Sequence, residues 1–274
     1  MQNIDTYNSI DTLDIERQIE FLATFRAQGI ITIENLFDEG EVQAFDDLWN
    51  AIAQRRAAAN LPPAATLMKA HTTNDEVIGI VKHQRLVGCI ETLLGGEVEL
   101  LGSQLMFNRP GSVGFSPHQD DFYTRADRPD DVITVWIAVD RVDVENGALD
   151  GFPGSHMQGM VPSKKDYKYL LSKAPEIAKL LFQTLWDNGQ KRDPDVGAME
   201  RFIHSEIPTA IEKVPMEVSP GSVCFIHGHL VHGSFPNVSS QRTRRSLVCN
   251  YIRSATKFYA GKLLGRQAFN LCDH

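Results

Sequence analysis

Apolar residues recur at helical spacing through the first third of the chain and at strand spacing through most of the rest. Ile15, Ile19, Leu22 and Phe25 line one face of a helix predicted over Asp11 to Gln28, with Gly29 placed as its C-cap. Ile30 to Ile33 is a short β-branched strand. Asp38 followed three residues later by Glu41 is a capping-box pattern. It opens a helix that carries Val42, Phe45, Leu48, Trp49 and Ile52 on one side and ends by Asn60-Leu61-Pro62-Pro63. Asp75 to Leu94 predicts one or two more helices with Leu86, Ile90, Leu93 and Leu94 buried, stopped by Gly95-Gly96.

The period then shortens. Val98, Leu100 and Leu101, then Leu105-Met106-Phe107, read as strand, and Asn108-Arg109-Pro110-Gly111 as a turn. Val132 to Val139 is a continuous apolar run, strand-like by its β-branched content, although periodicity alone does not separate it from a buried helix. Asn146-Gly147 is a hairpin-turn signal, and Pro153-Gly154-Ser155-His156 closes the next short strand. Between Ser163 and about Ile211 the strand pattern is interrupted by helix-like spacing (Tyr167, Leu170, Leu171, Leu180, Leu181) and a polar stretch from Asp187 to Gly197. Strand pattern returns at Val214 to Val218, turns at Pro220-Gly221, and continues through Ser222 to His227 and Ser246 to Ile252. Helices first and then many strands predict an α+β protein with an antiparallel barrel or sandwich core.

Composition narrows the class. With 274 residues, 42% hydrophobic and 23% charged, the chain suits one large domain, or a core with an insertion, and can bury a real core. A net charge of −8 argues against a nucleic-acid surface. The polar start Met1-Gln2-Asn3-Ile4-Asp5 lacks the layout of a secretory signal, and no apolar run approaches the ~20 residues of a membrane span. Cys89, Cys224, Cys249 and Cys272 are scattered, with no paired-cysteine motif, so a reducing, cytoplasmic setting is expected.

The chemistry concentrates at Pro117-His118-Gln119-Asp120-Asp121. On an extended segment His118 and Asp120 project to one face, and together they form two thirds of the 2-His-1-carboxylate triad that holds non-haem iron(II). By itself a His-x-Asp pair is more often a surface or hydrogen-bonded pair than a metal site. The missing histidine would come from Phe225 to Ser234, where spacing leaves His227, His229 and His232 all open.

Several motifs occur together and in order: His118-Gln119-Asp120, Trp136, Asn146-Gly147-Ala148-Leu149, Pro153-Gly154-Ser155-His156, Gly221 to Phe225, and His232-Gly233-Ser234 with Asn237, Ser239 and Arg244 beyond. Over roughly Gln104 to Ile252 the chain resembles the phytanoyl-CoA dioxygenase family of Fe(II)/2-oxoglutarate-dependent oxygenases. The resemblance implies a double-stranded β-helix (jelly-roll) core over 97–156 and 214–253. N-terminal helices and a first strand would occupy 1–96, all within one domain; the helical insertion over 157–213 is expected either as a lid at the mouth of the barrel or, equally, as a lateral packing or dimer element. It implies His118, Asp120 and His232 as iron ligands. Arg244 would grip the distal carboxylate of 2-oxoglutarate, helped by Ser234, because a planar guanidinium holds a carboxylate through two parallel hydrogen bonds. Trp136 and Gln104 are further candidate co-substrate contacts, with core packing an equal account of Trp136. Arg245 would point to the opposite face of its strand from Arg244, and Arg242 and Arg245 are expected to be solvent-facing charge. His156, Asn146 and Ser155 are expected to shape turns.

The expected activity is hydroxylation of an unactivated C–H bond in a small molecule, with iron(II), 2-oxoglutarate and dioxygen, at a late step of specialised-metabolite biosynthesis. A free amino acid or compatible solute is the second substrate class, and desaturation or epoxidation would use the same ligands. Halogenation is disfavoured because the related halogenases lack the carboxylate that Asp120 supplies. A metal-binding β-barrel without catalysis is the competing class, and a zinc hydrolase a third. The Phe122-Tyr123-Thr124-Arg125 segment, with Asp127 beyond, is a candidate substrate contact. The protein is expected to act as a monomer or homodimer, with no nucleic-acid or membrane partner.

Overall fold

A computed structural model describes residues 6–7, 15–61, 63, 65–165, 203–205, 210–259 and 267–271. In chain order these residues form β1 (Thr6–Tyr7), α1 (Ile15–Gln28), β2 (Ile30–Ile33), α2 (Glu39–Ala58), β3 (Thr66–Met68), α3 (Asp75–Val81), α4 (Gln84–Leu94), β4 (Val98–Asn108), α5 (Asp121–Thr124), β5 (Val132–Ala138), β6 (Leu149–Gly151), β7 (Ser163–Lys165), β8 (Ile203–Ser205), β9 (Val214–Met216), β10 (Val223–His227), β11 (His232–Ser234), β12 (Arg244–Arg253) and β13 (Phe269–Asn270).

The helical third keeps its predicted elements, but α1 buries Phe21 and Phe25 while Ile19, expected on the buried face, is exposed. The Asp38 side chain accepts from the Glu41 backbone N–H, and the Glu41 carboxylate accepts from the Asp38 backbone N–H, completing the capping box of α2. Glu41 also meets His83 and Arg85, so it joins the start of α2 to the start of α4. Gly95 ends α4 in the left-handed conformation, φ 70°. The segment Asp75 to Leu94 divides into two helices at Lys82 and His83.

Eight strands form one sheet in the order β1-β2-β10-β5-β12-β4-β13, with β3 added to β4; β11, β6 and β9 form a second. Within the large sheet only β1 and β2 pair in parallel. Its two faces are both buried, but against different partners. Val135, Ile137, Phe225, Leu247, Cys249 and Tyr251 pack with residues of α1 to α4. Trp136, Ala138, Cys224 and Ile226 pack toward Leu149 and Met216 of the small sheet. Every residue of β5 is buried, which accounts for its unbroken apolar run: a strand covered on both faces does not alternate.

One further sequence expectation changes, and others fall outside the described residues. Asn146-Gly147 makes a turn but not a hairpin, since β6 pairs with β9 and β11 rather than with β5. Gly147 has a positive φ of 94° and Asn146 does not, whereas the two-residue hairpin turn needs both. The Asn146 side chain instead accepts from the Asp143 N–H and donates to the Arg141 carbonyl, while the Asn146 N–H donates to the Asp143 carboxylate, closing a wider crossover between the sheets. The insertion begins and returns as strand, β7 pairing antiparallel with β8, while its expected helices and its role as a lid fall on residues outside those described. The first four residues of the expected first helix, 11–14, and Cys272 also lie outside them. No helix among the described residues is long and apolar enough to cross a membrane.

Candidate metal and co-substrate site

The inner face of the large sheet is set by parity. On β5 and β12, and on β4 from Gly102 onward, the even-numbered residues point inward, so Gln104, Val248 and Trp136 stand in one row across the three strands, and Asn250 and Thr134 are partners in the next; before Gly102 a register shift at Leu101 reverses the parity of β4. These five residues line a cavity together with Met106, Phe115, Tyr123 and Arg244.

His118, Asp120 and His232 meet at this cavity, with one ligand atom from each within 4.8 Å of the others. They are the described residues able to form such a cluster of three or more. The segment carrying His118 runs antiparallel to β11: His118 and His232 exchange both backbone hydrogen bonds, 2.8 and 3.0 Å. Phe115 and Ser234 are joined one pair further along. Gly233 permits this approach, since a Cβ there would meet the Phe115 carbonyl at 2.7 Å.

Each imidazole is oriented by a carbonyl two residues earlier in the chain. His118 Nδ1 lies 2.8 Å from the Ser116 oxygen and His232 Nδ1 3.0 Å from the Leu230 oxygen. With Nδ1–H donating, Nε2 is left as the ligand atom on both rings, 3.4 Å and 3.6 Å from the Asp120 oxygens. Burial alone would raise the Asp120 carboxyl, but positive charge on the neighbouring His232 and His118 rings when they are protonated, and the hydrogen bond from Thr134, lower it below the usual range. Burial pushes His232 down, against the pull of Asp120. An ionised carboxylate and a neutral imidazole are the protonation states in which these groups bind a divalent metal. Thr134 Oγ1 donates to Asp120 Oδ2 at 2.5 Å and accepts from Asn250 Nδ2 at 2.8 Å.

The other two candidate histidines have different surroundings. His227 ends β10 on the opposite face, 6.0 Å from the Phe25 ring and 4.9 Å from His156. His229 lies beyond the strand, where alternation no longer applies, and its Nε2 is 3.0 Å from Asp121 Oδ2. His156 reaches the Arg26 carbonyl at the end of α1, as expected of a turn histidine.

Arg244 is 1% exposed. Its Nε donates to the Gly147 carbonyl and Nη1 to Ser246 Oγ, each at 3.1 Å, and its guanidinium lies 5.4 Å from the Trp136 ring centroid. Arg245 points the other way, as expected, but it is held by Asp140 and Asp46 rather than left in solvent. Arg242 is likewise clasped by Asp143 and Glu145. Gln104 and Trp136 line the cavity; Ser234 does not, and its hydroxyl accepts from the Phe115 N–H. Of the loop after Asp121, Tyr123 and Thr124 reach the cavity, while Phe122 and Tyr259 flank the Arg125 guanidinium and Asp127 accepts from the Lys257 backbone. Thr134 and Asn250 were not singled out from sequence. Strand parity would have found them, two residues before Trp136 and six after Arg244.

The phytanoyl-CoA dioxygenase family model matches residues 25–246. A phytanoyl-CoA dioxygenase domain-containing protein 1 homolog from Caenorhabditis briggsae is 31% identical over 150 residues, 53% of this chain and 43% of that protein. A probable alpha-ketoglutarate-dependent hypophosphite dioxygenase from Stutzerimonas stutzeri is 27% identical over 182 residues, 66% of this chain and 54% of that protein. The chain thus spans about half the length of the curated relatives it matches. Among solved structures, the epimerase SnoN in complex with Fe3+, alpha ketoglutarate and nogalamycin RO superposes with a TM-score of 0.65 at 19% identity, over 89% of this chain and 87% of that one, a likeness of fold.

Proposed function

The chain belongs to the phytanoyl-CoA dioxygenase family, and on that premise we propose that it is an iron(II)- and 2-oxoglutarate-dependent oxygenase that hydroxylates an unactivated C–H bond of a small molecule. The observation that carries this reading is the convergence of His118, Asp120 and His232 in a cavity that Arg244 also lines.

The donor set fits iron(II): two imidazoles offering Nε2 and one carboxylate, a grouping that leaves coordination positions for other ligands. Held there by His118, Asp120 and His232, iron(II) with 2-oxoglutarate and dioxygen would supply the oxidising chemistry, the co-substrate being consumed as succinate and carbon dioxide. The protein's own part is to bind and orient. The Ser116 and Leu230 carbonyls hold the two imidazoles in the ligating tautomer. Arg244, steadied by Gly147, Ser246 and Trp136, offers a charged fork to a carboxylate, and Gln104 offers an amide in the same cavity. Met106, Phe115, Leu149 and Ile226 give the cavity an apolar wall that would keep water away while a C–H bond is attacked.

We read the substrate as a specialised metabolite, hydroxylated late in its assembly inside the cytoplasm by a monomer or homodimer. The similarity of fold to SnoN, solved with nogalamycin RO, supports that class. We further read the two sheets as the halves of a double-stranded β-helix, and 157–213 as cover for its mouth. Support for the cover comes from its anchors: the Gln119 amide bonds Gly159 and Val161, and the Ser205 N–H donates to the Pro117 carbonyl.

The test is an anaerobic titration of the iron(II)-loaded protein with 2-oxoglutarate, followed by its visible spectrum. A saturable charge-transfer band in the wild type, absent in His232→Ala and displaced to higher co-substrate concentration in Arg244→Ala, is expected. No band from protein shown to hold iron would overturn the oxygenase reading.

A further inference from the structure

The two oxygens of Asp120 are not equivalent. Oδ1 lies 3.4 Å from His118 Nε2 and Oδ2 3.6 Å from His232 Nε2, but Oδ2 also accepts from the Thr134 hydroxyl behind it. That hydroxyl has one proton to give. Its oxygen already accepts from Asn250 Nδ2 at 2.8 Å, so the proton is directed at the carboxylate. Thr134 and Asn250 are register partners on adjacent strands, and the Thr134 side chain is 2% exposed, so neither hydrogen bond is exchanged with bulk water at low cost.

We infer that Asn250 and Thr134 are positioning residues that present Asp120 to the metal through Oδ1 alone. This rests on the metal reading given above. A lone pair on Oδ2 committed to Thr134 makes that oxygen the poorer ligand and fixes the carboxylate plane. Three protein atoms then hold the metal, and the positions needed by a chelating co-substrate and dioxygen stay open. Without the relay the carboxylate can rotate and engage through both oxygens, closing one of those positions. A purely structural account, in which the pair only satisfies polar groups inside a sheet, requires no such effect on the metal.

The experiment uses cobalt(II) as an anaerobic probe, with dissociation constant and visible absorption read for the wild type, Thr134→Val, Thr134→Ser and Asn250→Leu, each checked for folding by circular dichroism. Thr134→Val, which keeps the shape and removes the hydroxyl, is expected to weaken cobalt binding by about 10–100-fold and to change the absorption spectrum. Thr134→Ser should restore the wild-type spectrum, and Asn250→Leu should shift in the same direction as Thr134→Val by a smaller factor. Folded Thr134→Val with wild-type affinity and spectrum would overturn the inference and leave the metal site standing. Should Thr134→Val not fold, Asn250→Leu decides: an unchanged spectrum and affinity overturn the relay, a shift supports it. A wild-type protein that takes up no cobalt overturns the metal reading, and this inference with it.

Discussion

His118 and His232 face each other as a hydrogen-bonded antiparallel pair, 114 residues apart in sequence (232 − 118 = 114), with ring centroids 4.4 Å apart. The backbone of each histidine holds the other in place, so the two imidazoles are brought together before any ligand arrives.

That pairing depends on Gly233. A methyl group there would press on the Phe115 backbone at 2.7 Å and lift the His118 segment from β11. Gly233→Ala is therefore expected to weaken manganese(II) binding by about tenfold or more, measured by calorimetry. It should also remove about half of the stabilisation, about 2.7 kcal/mol, that manganese at 100 times the wild-type Kd gives the wild type, read as a smaller rise in melting temperature. Unchanged affinity would mean that the pair tolerates separation.

Arg244 to lysine is not a conservative change at a site 1% exposed, because it loses the fork and the bonds to Gly147 and Ser246. The expected outcome in steady-state kinetics is a KM for 2-oxoglutarate raised about tenfold or more, some 1.4 kcal/mol, with a smaller change in kcat. A variant with wild-type KM would remove Arg244 from the co-substrate site.

His227 gives the fold a pH dependence separate from the metal ligands. Burial, reinforced by His156 and opposed by Asp130, pushes it down to about 4 from its ordinary 6.5. The unfolded chain therefore binds the extra proton first as the medium is acidified. The His227 contribution is fully present above pH 6.5 and is lost as pH falls toward 4, on the order of 3 kcal/mol in all. Chemical denaturation across this window should show a shallower loss in His227→Gln than in the wild type; equal slopes would assign the acid sensitivity elsewhere.

Asp38→Ala removes one half of the capping box of α2, a helix whose buried residues belong to the helix-side core and not to the lining of the cavity. It should cost about 1 kcal/mol, about 2–4 °C in melting temperature, and leave metal affinity as it was. A change in metal affinity would reveal coupling between α2 and the site.

The parts of this protein legible in sequence are those governed by local chemistry or strict alternation. The capping box at Asp38, the left-handed stop at Gly95 and the opposite facing of Arg244 and Arg245 all follow from neighbouring residues alone. What escaped depends on partners distant in the chain. Asn146-Gly147 carries the chemistry of a tight hairpin, yet its flanking strands belong to different sheets. Spacing could not separate His232 from His227 and His229, because the choice lies in where β10 ends and where the His118 segment docks. Thr134 looked like one more β-branched residue in a buried run until its register partner, Asn250, was known.

The parity of β4, β5 and β12 joins the history of the core to that of the cavity. Deleting one residue from β5 would send Val135 into the cavity and turn Trp136 toward the helices, exchanging the two environments along the rest of the strand. Within the rows that line the cavity these strands can therefore evolve by replacing side chains; an extra residue is absorbed outside those rows, at Leu101 of β4 where the register with β12 shifts, and new substrates must be sought by lineages through the connections between strands.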